Sequence, residues 1–60
     1  MKLVLGIKER EEFQKYLNTL EKYVNLGNTE ALMAQSAICS MITTIFDCTI
    51  VYEHGQFTVN

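Results

Sequence analysis

At 60 residues the chain has room for one domain, 1–60, and a fold of that size buries only about 60% of the surface its unfolded chain exposes. A net charge of −2, with Lys2, Lys8, Arg10, Lys15 and Lys22 interleaved among acidic residues, offers no basic run to neutralise phosphates and argues against nonspecific nucleic-acid binding. A single histidine and two cysteines without CxxC spacing supply no metal-ligand set, and no cofactor motif is present.

The chain opens on an alternation. In Lys2–Lys8, Leu3, Leu5 and Ile7 fall on one side and Lys2, Val4, Gly6 and Lys8 on the other. Period two with branched residues predicts a short, half-buried strand. Met1-Lys2 is followed by only three apolar residues before Gly6, too few for the apolar core of a secretory signal.

Glu9–Leu26 has the pattern of a helix. Phe13, Leu17, Leu20 and Val24 recur at spacings of four and three and form one apolar stripe, which Tyr16 and Tyr23 widen on one side. Glu9, Glu11 and Glu12 crowd the first turn, where the helix dipole favours negative charge. Gly27 can take the left-handed conformation that ends such a helix.

Asn28 or Thr29 then caps a second helix running to about Phe46, with Glu30 in its first turn. The short joint predicts an antiparallel helical hairpin. Between Asn25 and Phe46, Glu30 is the one charged residue. Ala34, Ile38, Met41, Ile42 and Ile45 share one face, and Leu32, Cys39 and Phe46 an adjoining one. Small residues (Ala31, Ala34, Ser36, Ala37, Ser40) would let another backbone approach closely. A helix apolar nearly all round belongs in an interior. So short a chain cannot enclose it alone, and a second copy is the expected cover, through Ala34, Ala37, Ile38, Met41 and Ile45. At about 25 cal/mol per Å², covering that face contributes on the order of several kcal/mol, the help a marginal monomer needs. Ala31–Phe46 is shorter than the ~20 apolar residues of a membrane span and contains Gln35, Ser36, Ser40, Thr43 and Thr44. No membrane association is therefore expected.

The last twelve residues read as a β-hairpin turning at His54-Gly55. Opposing residues share a face, so Ile50, Tyr52, Phe57 and Val59 line one apolar side, while Thr49, Val51, Glu53, Gln56, Thr58 and Asn60 line the other. Leu3, Leu5 and Ile7 are expected to join this hairpin as a third strand. The predicted fold is α+β, β-α-α-β-β: an antiparallel helical hairpin on a small three-stranded sheet, dimeric, with strand edges open to a further subunit.

The chemistry-bearing residues read as structural. His54 at a hairpin tip lacks a pocket and an orienting partner for acid–base work. Cys39 lies on an apolar face with no basic neighbour to lower its pKa. Nine residues of mostly helix hold it roughly 13 Å from Cys48, beyond the span of a disulfide. Both are expected as reduced thiols in the cytoplasm. Asp47 and Glu53 read as solvated charges. Tyr16 and Tyr23, seven residues apart, are the candidate anchors for a protein partner, since tyrosine is enriched at such sites.

A strand followed by two helices, with Gly27-Asn28-Thr29-Glu30 at the joint, resembles the ribbon-helix-helix DNA-binding proteins. The resemblance implies two copies pairing their N-terminal strands and presenting Lys2, Val4 and Gly6 to the bases. Of these only Lys2 could hydrogen-bond a base edge. The first helix is longer than that family's, the chain is acidic and a hairpin follows. The expected function is a homodimeric, non-enzymatic protein-binding module, a regulator, inhibitor or adaptor of the kind bacteria and their phages encode. A DNA-binding regulator is the alternative, and a small enzyme or ligand binder with an intersubunit site the third class.

Overall fold

The computed structural model describes all residues from Met1 to Asn60. Its elements are α1 (Ile7–Val24), α2 (Thr29–Ile45), β1 (Ile50–Glu53) and β2 (Gln56–Val59). The fold is α+β: two helices and a two-stranded antiparallel sheet.

The expected N-terminal strand is not formed. α1 begins at Ile7, two residues before the expected start, with extended Gly6 as its cap residue and the Arg10 amide donating to the Gly6 carbonyl at 2.9 Å. Ile7 and Lys8 are therefore helical. What remains of the alternation is one parallel bridge, Leu3 with Phe46, in which the Leu3 amide donates to Ile45 O (2.9 Å) and the Asp47 amide to Leu3 O (2.7 Å). Of Leu3, Leu5 and Ile7 only Leu5 enters the core. The sheet is thus two-stranded rather than three-stranded. The physical reason lies in α1. The Thr49 and Asn60 backbones exchange both hydrogen bonds across the hairpin, so Phe57 and Val59 turn their polar backbone groups outward. Side chains of α1 already meet them. Gln14 Oε1 accepts from the Val59 amide (3.1 Å), and the Asn18 amide group both accepts from Phe57 N (2.7 Å) and donates to Phe57 O (3.1 Å). These side chains close the β2 edge, and the β1 edge goes unused because α1 takes up Ile7 and Lys8 while Leu3 is tied to Ile45 and Asp47.

The helical joint matches its sequence. After Val24 the chain turns through Gly27 at φ +88°, with the Gly27 amide donating to Val24 O and the Asn28 amide to Tyr23 O, the two bonds of a Schellman termination. Asn28 Oδ1 accepts from the Ala31 amide at 3.0 Å and caps α2. The hairpin has the expected register: Ile50 opposite Val59, Val51 opposite Thr58, Tyr52 opposite Phe57, Glu53 opposite Gln56. Its turn places His54 and Gly55 at φ +53° and +76°, the left-handed pair that matches the twist of the flanking strands.

Leu5, Leu17, Ile42 and Val59 form the buried cluster, ringed by Phe13, Ile38, Phe46, Ile50 and Phe57. α1 lies between α2 and β2 and contacts both. No helix is long and apolar enough to cross a membrane.

Candidate functional site

α2 is covered along only part of its circumference. Ala31, Gln35 and Ile42 are buried, whereas Met33, Ala37, Met41 and Ile45 stay exposed. Helical geometry advances about 100° per residue, so Ala34, Ala37, Ile38, Met41 and Ile45 run along one flank. On α1, Glu9, Tyr16 and Tyr23 recur every seven residues and run along the flank that borders it.

Two open grooves join these lines. One, of about 400 Å³, is lined by Glu9, Glu12, Phe13 and Tyr16 of α1 with Ile38 of α2. The other, of about 420 Å³, lies between Leu20 and Tyr23 of α1 and Glu30, Ala31 and Ala34 of α2, with Asn28 at its end. The candidate anchors Tyr16 and Tyr23 and the candidate dimer residues Ala34 and Ile38 therefore belong to one surface, a seam along the helical hairpin. Tyr16 is 54% and Tyr23 51% exposed, and Met41 and Ile45 are 45% and 43% exposed.

The charges on the seam have one sign. Glu9 and Glu12 stand at one end and Glu30 at the other. Glu9 folds back over Gly6, its carboxylate filling the place a Cβ there would take, close to the amides that open the helix. Lys8, Lys15 and Lys22 also repeat every seven residues but precede the Glu9–Tyr16–Tyr23 line by one position. They line neither groove, although Lys8 and Lys15 stand one helical turn from Glu12. Lys2 is held elsewhere, donating from Nζ to Thr43 O at 2.8 Å.

A second polar cluster ties three elements together. Glu21, buried on α1, accepts from Gln35 Nε2 of α2 at 3.0 Å and from the Tyr52 hydroxyl of β1. Gln35 Nε2 also donates to Leu17 O at 3.3 Å. The Tyr52 and Gln35 hydrogen bonds, in that order, hold the Glu21 carboxyl below its ordinary value and outweigh its burial. The same carboxylate pushes the Tyr52 phenol up. Each member satisfies another, so the cluster reads as a structural clasp.

The remaining candidates are dispersed. His54 is exposed at the hairpin tip, and Asp47 and Glu53 are exposed in separate segments. Cys39 and Cys48 are free thiols packed against the core cluster. Burial raises the Cys39 thiol, and Cys48 Sγ lies 3.5 Å from Ile42 O as a weak donor. No three His, Cys, Asp or Glu side chains gather as a metal set. Lys2, Val4 and Gly6, which the ribbon-helix-helix resemblance would place on a ribbon, precede α1 in a segment whose single bridge is parallel and internal.

Sequence reasoning passed over Glu9, Glu12 and Glu30 as parts of a surface, and Gln14, Asn18, Glu21 and Gln35 as tertiary contacts. The heptad offset of Glu9 from Lys8 was a usable signal for the first group. No local signal marks which polar side chains of a helix will meet a strand edge. No protein-family model, curated protein or solved structure matches the chain.

Proposed function

We propose that this chain is a small non-enzymatic protein-binding module, a regulator, inhibitor or adaptor, whose working surface is the seam of its helical hairpin. Tyr16 and Tyr23 anchor a protein partner there. In the partner's absence a second copy covers the same flank through Ala34, Ala37, Ile38, Met41 and Ile45, giving a homodimer. A cytoplasmic location belongs to this reading and is supported by the two free thiols.

One observation carries it: large apolar side chains of both helices stay half exposed along a single groove-lined face, the arrangement that marks interaction surfaces. Sedimentation over a wide concentration range tests the self-association. The wild-type chain should shift from monomer to dimer, and Met41→Glu with Ile45→Glu should leave a monomer with unchanged circular dichroism, since both side chains are exposed. A wild-type chain that is monomeric at every concentration removes the homodimer. Capture of a partner from the native host should weaken with Tyr16→Ala and Tyr23→Ala together; undiminished capture removes the tyrosine anchors.

A further inference from the structure

Building on that protein-binding reading, we infer that the seam takes an amphipathic helix from a partner protein, with an apolar stripe and basic residues near its two ends, and that this helix displaces the second copy. Between the first-turn amides at its two ends, the groove is walled by helix side chains whose own backbone groups are already hydrogen-bonded within α1 and α2. An extended peptide would find no backbone partners there, whereas a helix satisfies its own. From Glu9 to Tyr23 the seam runs about 21 Å at ~1.5 Å per residue, which sets the docked segment at roughly 14 residues. Its floor and sides offer Phe13, Tyr16, Leu20, Tyr23, Ala34 and Ile38.

The charges choose among occupants. Glu9 and Glu12 flank one groove and Glu30 the other, with no lysine or arginine on either. In a two-fold pair each subunit offers the same patch. An antiparallel pair then sets Glu9 and Glu12 against the copy's Glu30, and a parallel pair sets each carboxylate against its own counterpart. Both bring acid to acid, which penalises self-pairing, whereas basic residues at the ends of a docked helix meet opposite charge.

Two labelled 14-residue peptides with the same leucine stripe test this, one carrying lysine and arginine in its first and last turns and the other glutamate. Fluorescence anisotropy with the full chain at low salt should show the basic peptide binding about tenfold more tightly, the combined effect of a few exposed ion pairs. The gap should narrow as salt screens the pairs, while self-association tightens. Sedimentation should find one chain per bound peptide. Glu9→Gln, Glu12→Gln and Glu30→Gln together should abolish the preference and strengthen the dimer; all three positions are exposed, and circular dichroism verifies the fold. Equal affinity for the two peptides, no binding of either, or a preference surviving the triple substitution overturns the inference. A chain that never dimerises but prefers the basic peptide sinks the homodimer, and the displacement with it, and leaves the docking of a basic-ended helix standing. A dimer that neither peptide displaces does the reverse.

Discussion

Glu21 is the residue with the most consequences for its size. Its carboxylate joins α1 to α2 through Gln35 and to β1 through Tyr52. Because its folded pKa lies below the ordinary value of 4.5, it contributes stability that is fully present above that value and is lost as pH falls through the depressed one. Tyr52 works in the opposite sense. Its phenol is raised above 10, so its contribution is complete below 10 and is lost as pH rises through the raised value. Denaturant midpoints measured from neutral to acid pH should therefore fall below pH ~4.5, and Tyr52→Phe should weaken that dependence. Ultraviolet titration of the phenols should show a late phase that Tyr52→Phe abolishes and Glu21→Gln moves to lower pH. Asn28 is a simpler case: Asn28→Ala removes the side-chain cap of α2 and should cost about 1 kcal/mol, read as a lower denaturant midpoint at constant slope.

At the level of elements, legibility tracked how local the determinants were. The hairpin register followed from opposing residues sharing a face, with His54-Gly55 able to adopt positive φ. The helical joint followed from Gly27 and Asn28, which act on their own neighbours. The N-terminal strand failed because alternation over a few residues competes with helix extension, which takes Ile7 and Lys8 into α1, and because Leu3 bonds the chain at Ile45 and Asp47 instead of the hairpin. Gln14 and Asn18 were indistinguishable in sequence from solvent-facing residues of α1. Only tertiary packing turned them into partners for Phe57 and Val59. Asn18→Ala should cost roughly 1–3 kcal/mol, since it strips both backbone groups of Phe57 of their partners, whereas Thr19→Ala should cost well under 1 kcal/mol because the Thr19 hydroxyl bonds only its own helix at Lys15 O. Chemical denaturation of the two variants compares them directly. The seam was half legible: its apolar residues stood out by periodicity, but its uniform charge emerged only when α1 and α2 were set side by side.

Taken whole, the molecule is elongated, 36 × 18 × 17 Å, and its fully enclosed side chains are few. Leu17 and Ile42 are the two largest with no measurable exposure. A chain of this length has a stability on the order of 3–9 kcal/mol. Leu17→Ala, at about 2–5 kcal/mol, should therefore remove much of the folded population, and circular dichroism with temperature will show a lower, broader transition. If a second copy or a partner helix covers the seam, the same variant should regain part of the loss at high protein concentration, because whatever binds only the folded chain stabilises it by mass action. The wild-type melting temperature should rise with concentration for the same reason, and should stop doing so in Met41→Glu with Ile45→Glu.

The unequal treatment of the two sheet margins also decides how the molecule fails. β2 is shielded by amide side chains, but β1 pairs with β2 alone, so the outward peptide groups of Ile50 and Tyr52 remain a template for any strand that drifts past. On prolonged warming, fibrous precipitation should begin there, with Val51 stacked on Val51 of a neighbouring molecule. A lysine placed by Val51→Lys would set like charges in that stack and lengthen the lag before turbidity, whereas a lysine at Thr58 on the shielded strand should do little.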